Sequence, residues 1–134
     1  MQQRDLALDV TSYRRIEQLC GEFLRESNAT CAIVVGRDGT ALHRQGFIEN
    51  LDIDGLCALA AATFASSGEI ARIVGERQFD FFMQQGQNNH VQMVRVGDVA
   101  LLLAVFDDRT TAGMVRLRAQ QIARTLALLL QEPV

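Results

Sequence analysis

Two stretches of this chain are apolar at every position, and they restrict its fold more than any other feature. They are Cys31–Val35 (CAIVV) and Val99–Phe106 (VALLLAVF). Both have the length of strands, and a strand without a polar face is buried on both sides of its sheet. The two stretches therefore predict central strands of a sheet that helices cover on both faces.

The rest of the chain supplies three helices and three more strands. Apolar residues at three- and four-residue steps indicate the helices, and alternating segments bounded by turn residues indicate the strands. Helices are predicted over 10–27, 54–74 and about 110–130, and the additional strands over 40–45, 78–84 and 90–96. Short connections between strands make the sheet antiparallel. The prediction is one α/β domain spanning 1–134, with an ordered core of about 10–130. It is a three-layer α/β/α sandwich with a five-stranded antiparallel sheet, in the order α-β-β-α-β-β-β-α, with the first and last strands in the middle.

Composition excludes several function classes. The net charge of −3 and the pI near 5.3 argue against nucleic acid as a partner. All 13 basic residues are arginine, so the chain has neither a P-loop lysine nor a Schiff-base lysine. The three cysteines are scattered and the two histidines stand far apart, so neither a metal nor another cofactor is expected. No nucleophile and base stand at a readable spacing, and an enzyme with catalytic residues of its own is not expected.

The location predicted for the chain is the cytoplasm. Its first residues, MQQRDLALDV, lack the basic start and apolar core of a signal peptide. The longest uninterrupted apolar runs, 99–106 and 126–130, are shorter than a bilayer is thick, so membrane insertion is not expected.

The second predicted helix is apolar on two sides. One side is predicted to face the core, with Ile70 and Ile73 as anchors, and consists of Leu59, Thr63, Ser66, Ile70 and Ile73. The opposite side carries Ala61, Phe64, Ala65, Gly68 and Arg72, with Ala58 and Glu69 at its edge. Alanine alone is simply a good helix former, but Gly68 costs about 1 kcal/mol relative to alanine in a helix, and Phe64 would stand exposed. The second side therefore predicts an interface with another molecule.

A second indication of an interface is the aromatic segment Gln78–Gln84 (QFDFFMQ). In a strand, Phe79 and Phe81 lie on one face and Phe82 on the other. At the edge of the sheet, such a strand is open to pairing with another chain. Together, the two indications predict a homodimer in which the edge strands of two copies pair to continue the sheet and the second helices lie side by side. Ala58, Phe64, Phe79, Phe81 and Phe82 are its predicted interface residues.

The segment FDDRTT (106–111) follows a buried strand and looks like a catalytic loop. It is better explained as the entry to the last helix, because Thr110 and Thr111 are good N-caps and Asp107 and Asp108 suit the positive end of the helix dipole. Arg109 can pair with either aspartate. Gly113 is expected to allow close packing of this helix on the sheet.

Several stretches, in this order along the chain, resemble those of one known family. They are IVVGRDG (33–39), NLD (50–52) leading into LCAL (56–59), IVGE (73–76) and FDDRTTAGMVRLR (106–118). In these stretches and in element order, nearly the whole chain resembles a Roadblock-type, profilin-like domain. The likeness is greatest to the bacterial MglB branch, whose members regulate the small Ras-like GTPase MglA.

The resemblance implies a homodimer with a ten-stranded sheet and a two-helix surface that binds the GTP form of an MglA-like GTPase. It also implies stimulation of GTP hydrolysis without an inserted arginine finger, in cell polarity or motility. Carried over to this sequence, the GTPase-binding residues are Ala61, Ala65, Gly68, Glu69 and Arg72. Glu69 stands where the family often has a small residue.

Three alternatives remain open from the sequence. The chain could be a scaffold that docks a GTPase or another partner without changing its rate, since one fold hosts many functions. An arginine could act in trans as a finger, with Arg37, Arg72 and Arg109 as candidates. A small-molecule sensor is disfavoured because few polar groups are expected to converge in a pocket.

Overall fold

The computed structural model describes residues 9–130, so the predicted domain ends at 1–8 and 131–134 lie outside the described residues. Three helices and five strands follow one another in the predicted order. They are α1 (Val10–Ser27), β1 (Cys31–Gly36), β2 (Ala41–Gly46), α2 (Ile53–Val74), β3 (Phe81–Gln85), β4 (His90–Val96), β5 (Ala100–Phe106) and α3 (Ala112–Leu130).

The five strands form one antiparallel sheet in the order β2-β1-β5-β4-β3. β5 lies at the centre, where Leu103 is in register with Ile33 on one side and with Met93 on the other. Every residue of β1 is buried, and in β5 only Val105 is partly exposed. The prediction of two central apolar strands is confirmed, because a strand between two layers of helix has no face left for polar side chains.

Alternate residues of the central strands feed two separate cores. Ala32, Val34 and Leu102 pack beneath α1 and α3, together with Phe23 of α1 and Leu126 of α3. Neighbouring side chains on the same strands point the other way and pack beneath α2. The molecule is therefore the predicted three-layer sandwich, with two helices on one face of the sheet and α2 alone on the other.

Helix ends follow local chemistry, and most bounds fall where the sequence predicts them. Asp9 caps α1 by accepting a hydrogen bond from the Ser12 N–H at 2.8 Å. The edge strand β3 is an exception, because it begins at Phe81 and not at Gln78. Phe79 therefore precedes the strand, and its carbonyl instead accepts a hydrogen bond from Arg95 Nε at 3.4 Å.

The β1–β2 turn sets the position of α2. Gly39 has a φ of +89°, a region that favours glycine. A Cβ atom at Gly39 would also lie only 3.2 Å from the Ala58 Cα, so the turn and the start of α2 approach each other closely. A larger residue at this position would strain the turn and crowd the start of α2.

Candidate partner-binding surface on the second helix

Both ends of α2 are fixed by local hydrogen bonds. At its start, the Asp52 carboxylate accepts a hydrogen bond from the Gly55 N–H at 3.0 Å. At its end, Gly75 adopts the left-handed conformation, and the Glu76 N–H donates to the Ala71 carbonyl at 2.8 Å. These caps flank the helix predicted over 54–74, and they bound a 22-residue helix that lies on the sheet.

The core-facing side of α2 is not the side that was predicted from its sequence by placing the residues on a helical wheel at about 100° per residue. Phe64 is only 7% exposed and stacks on Phe82 of β3, with ring centroids 5.3 Å apart. The small residues on the same side let the helix backbone approach the sheet. The buried residues of α2 are Ile53, Cys57, Ala60, Phe64, Ser67 and Ala71. The placement of Phe64 on an open face is therefore wrong, and so is its prediction as an exposed interface residue, because this ring fills the α2 core.

The predicted core stripe is instead the outside of the helix. Leu59 is 69% exposed, Ile73 is 76% exposed, and Ile70 and Ser66 are exposed as well. We call Leu59, Ser66, Ile70 and Ile73 the α2 outer face. The wheel failed because α2 is apolar almost all round, so the period of its sequence gives two apolar sides and does not say which one meets the sheet. A surface of this kind on a helix indicates contact with another molecule.

The five residues predicted to bind a GTPase lie between the buried side and the α2 outer face, and we call them the α2 flank. Ala65, Glu69 and Arg72 are exposed, and Ala61 and Gly68 are partly exposed. Glu69 and Arg72 form an ion pair with each other one helical turn apart. No atom from outside the helix lies within 4 Å of a Cβ built at Gly68, so nothing within residues 9–130 packs there. The α2 flank is thus accessible, with room for close approach by another surface.

A cavity of about 360 Å³ lies beside the α2 flank, between the helix and the sheet. Ala61, Ala65 and Phe64 form its helix side. Three charged side chains from the two nearby hairpins, Arg37, Arg95 and Asp98, line it as well. The expectation that few polar groups converge in a pocket is wrong here, because the fold brings together turns that are about 60 residues apart in the sequence.

The three remaining phenylalanines of the predicted dimer interface lie at or near the edge strand β3, and Ala58 lies on α2 beside the β1–β2 turn. Phe81 and Phe82 are partly exposed, and they point to opposite faces of the sheet. Phe81 lies beneath Arg116 of α3, whose guanidinium carbon is 4.1 Å from the ring centroid. Phe79 is partly exposed and Ala58 is exposed. β3 has one strand neighbour, β4, so its other edge is unpaired within residues 9–130.

The FDDRTT segment is a helix entry, as predicted. The Thr111 hydroxyl accepts a hydrogen bond from the Met114 N–H at 3.1 Å and so caps α3. Arg109 Nε lies 3.0 Å from Asp107 Oδ1, and this hydrogen bond lowers the pKa of Asp107. The role given to Gly113 is wrong, because this residue is exposed and nothing lies within 4 Å of a Cβ built there.

His90 is a structural residue that the sequence did not reveal. Its buried ring accepts a hydrogen bond from the Gly86 N–H at Nδ1 and donates one to Asp108 from Nε2, at 3.2 and 3.0 Å. Both ring nitrogens therefore hold loops together, and this arrangement leaves neither free to bind a metal. Within residues 9–130 there is no group of three His, Cys, Asp or Glu side chains that could hold a metal ion.

The family model of the Roadblock/LC7 domain matches residues 15–106, which include β1, β2, α2 and the rest of the sheet. This chain belongs to the Roadblock/LC7 family. A comparison with curated protein sequences finds no match.

Two MglB structures are very similar to this Roadblock/LC7 domain. The gliding protein MglB of Thermus thermophilus superposes with a TM-score of 0.90 at 27% identity, over 96% of this chain and 98% of that one. An MglB with a tetrameric arrangement gives the same TM-score at 28% identity, over 96% of this chain and 97% of that one. Profilin of Schizosaccharomyces pombe shares the fold alone, with 15% identity, a TM-score of 0.62 and coverage of 82% of this chain and 94% of that one. The predicted kinship with MglB and the profilin-like fold are confirmed.

By length and composition alone, α2 is apolar enough to cross a membrane. This helix is not among the uninterrupted apolar runs of the sequence, because Thr63, Ser66 and Ser67 interrupt its apolar residues. Core helices of soluble proteins pass the same test, so it is weak evidence. One side of α2 is packed on the sheet of the Roadblock/LC7 domain, and a second protein surface is enough to account for the other.

Proposed function

We propose that this Roadblock/LC7 protein is a homodimeric regulator of a small Ras-like GTPase in the cytoplasm, binding the GTP form and stimulating GTP hydrolysis. The observation that carries the proposal is the exposure of both the α2 outer face and the α2 flank on a helix that has no polar side. We assign these two exposed surfaces to two different partners. The similarity of the whole chain to MglB, with TM-scores of 0.90, supports a role as a GTPase regulator.

The first partner is a second copy of the chain. Leu59, Ile70 and Ile73 are large and exposed, and pairing with the same residues of another copy would remove them from water. One edge of β3 is unpaired within residues 9–130, near Phe79, Phe81 and Phe82, and antiparallel pairing of two such edges would satisfy their backbone N–H and C=O groups. We therefore assign the α2 outer face, Ala58 and the β3 edge to the dimer.

The second partner is the GTPase, which we assign to the α2 flank. Ala61, Ala65 and Gly68 keep side-chain bulk low, so a flat surface of the partner can reach the helix backbone. Glu69 and Arg72 add a charged end to the same surface. In the proposed dimer, each copy would contribute one α2 flank to GTPase binding.

Activation is proposed to work through the conformation of the GTPase and not through an inserted arginine. Two of the three candidate arginines are held by neighbouring carboxylates, Arg72 by Glu69 and Arg109 by Asp107. A regulator that binds better to the hydrolysis-competent state of the GTPase raises the population of that state. The catalytic residues would then be those of the GTPase, and this protein would not itself be an enzyme.

The test is GTP hydrolysis by a candidate MglA-like GTPase with and without this protein. We expect Ala65→Arg to abolish both binding and acceleration while leaving unfolding unchanged, because it adds bulk and charge to an exposed position at the centre of the α2 flank. The matched control is Gln120→Arg, which places the same group at an exposed position of α3 on the opposite layer. Full binding by Ala65→Arg would place the interface elsewhere.

A scaffold without effect on the rate is the second candidate function, because the α2 surfaces account for binding but not for acceleration. It is distinguished by a GTP-dependent complex in which the hydrolysis rate at saturating protein equals that of the GTPase alone. An arginine finger is tested in the same assay with Arg37→Ala, Arg72→Ala and Arg109→Ala. Loss of a finger lowers the saturated rate by about 1,000-fold or more at unchanged affinity, and we expect no such loss.

A further inference from the structure

We infer that the cavity beside α2 is a receptor for a carboxylate side chain, Asp or Glu, presented by the protein partner that binds the α2 flank. The inference rests on the proposed function, since it names the chemistry of the same partner. Neither Arg37 nor Arg95 is among the GTPase-binding residues that the family resemblance implies. Arg37 of the β1–β2 turn and Arg95 of β4 carry it, together with Ala61 and Ala65 of α2.

Both arginines have unused hydrogen-bonding capacity. Arg95 uses its Nε atom toward Asp80 at 3.5 Å and the Phe79 carbonyl at 3.4 Å, and its Nη groups donate to nothing within residues 9–130. Arg37 is exposed, and in the same part of the chain no carboxylate lies within 4.0 Å of its guanidinium. Each guanidinium group can thus offer a pair of N–H donors, the geometry that a carboxylate accepts.

The charge and shape of the cavity favour a single carboxylate. Asp98 lines the same space, so two positive charges face one negative charge and an excess of one positive charge remains. A singly charged group matches that excess better than a phosphate does. The other walls include Ala61, Ala65 and Leu101, which suit the methylene groups of a side chain. A volume of about 360 Å³ admits such a side chain with some water.

The cavity is continuous with the proposed GTPase-binding surface, because Ala61 and Ala65 belong to both. A partner seated on the α2 flank would cover the mouth of the cavity and exclude solvent from it. In that setting a charge-assisted pair is stronger than on an open surface. This continuity is the reason for assigning the carboxylate to the protein partner.

Binding of the GTP-loaded GTPase to Arg37→Gln tests the inference. We choose Arg37 because it is exposed, whereas Arg95 also lies over the Phe64 ring at 5.6 Å, and its loss would disturb the core. We expect about 10-fold weaker binding or more, a smaller dependence of affinity on salt, and an unchanged unfolding midpoint. Arg37→Lys should recover only part of the affinity, because lysine lacks the forked donor geometry. Arg14→Gln, an exposed arginine of α1 on the opposite layer, is the control for net charge.

A double-mutant cycle completes the test. Changing each Asp or Glu of the GTPase interface to its amide should identify one that weakens binding to the wild-type protein but not to Arg37→Gln. Equal affinity of Arg37→Gln and wild type, or equal weakening by Arg14→Gln, would overturn the inference while Ala65→Arg still tests the proposed function. Saturable binding of free glutamate in the cavity, with every GTPase carboxylate dispensable, would make the cavity a small-molecule site and overturn it too. Absence of any complex with the wild-type protein would remove the proposed function and this inference together.

Discussion

Replacing Ile73 by alanine distinguishes two orientations of α2 on the sheet: the one in the structure, and the one predicted from the helical period of the sequence. The wheel makes Ile73 a core anchor, and truncating a buried isoleucine costs about 2–5 kcal/mol of protomer stability. In the structure the side chain is 76% exposed, so the protomer should lose almost nothing, within about 0.5 kcal/mol. The cost should instead fall on dimerisation, because the α2 outer face is proposed to pair with its own copy.

The size of the dimerisation effect follows from the exposed area. Full burial of an isoleucine contributes about 1.5–3 kcal/mol, so the exposed three quarters of Ile73 corresponds to about 1.5 kcal/mol in each copy. Both copies change together in a homodimer, which gives about 3 kcal/mol, or roughly 100-fold in the dimer dissociation constant. The alanine that remains keeps the Cβ atom, so this figure is an upper value.

The assay is sedimentation over a range of concentrations, combined with urea unfolding at a concentration where the chain is monomeric. Leu128→Ala is the matched control, because this leucine of α3 is 73% exposed and lies on the opposite layer. It should leave the dimer dissociation constant unchanged. A loss of 2 kcal/mol or more in monomer stability for Ile73→Ala, with unchanged association, would refute the assignment of this face to the dimer.

Three further predictions concern the fold. Phe64→Ala should lower the free energy of unfolding by about 3–5 kcal/mol in urea titrations, because the ring is buried and stacked on Phe82; a change below 1 kcal/mol would contradict that burial. Thr111→Ala should cost about 1 kcal/mol through loss of the α3 N-cap, and Thr110→Ala, whose hydroxyl makes no hydrogen bond within residues 9–130, should cost less. Burial raises the pKa of the Cys20 thiol from its ordinary 9.0 to about 12, so the folded chain holds this proton more tightly than the unfolded chain does. The contribution of Cys20 to stability should therefore be fully present below pH 9 and should fall as the pH rises from 9 toward 12. In Cys20→Ser, unfolding midpoints measured across this range should decrease less steeply with pH. An equally steep decrease in Cys20→Ser and the wild type would count against the raised pKa.

The sequence of α2 did not reveal which side of this helix is buried. The period of the sequence identifies the buried side of α1 and of α3, as Phe23 and Leu126 show. In α1 that side stands against a largely polar one, and in α3 it stands against a mixed side on which Leu117 and Leu128 are exposed. α2 has no such contrast, since Leu59 and Ile73 on one side compete with Phe64 on the other. Side-chain size predicts that the aliphatic side of α2 is buried. In the structure, the sheet instead contacts the side that combines small residues with one aromatic ring. On that side Phe64 stacks on Phe82 of β3, the next element of the chain, a tertiary contact that the helical period does not encode.

The sequence by itself determined the elements, because strand burial, helix periodicity and capping depend on neighbours a few residues away. Cys31–Val35 and Val99–Phe106 predict central strands by their length and lack of polar residues, and Asp9, Asp52 and Gly75 mark helix ends by their own chemistry. Only the tertiary structure decided which side of α2 is free and that Arg37 and Arg95 line one cavity. These outcomes depend on the order and packing of strands from distant parts of the chain. Patterns of neighbouring residues do not encode contacts between such distant segments. The features on which binding is proposed to depend are therefore those that the fold decided.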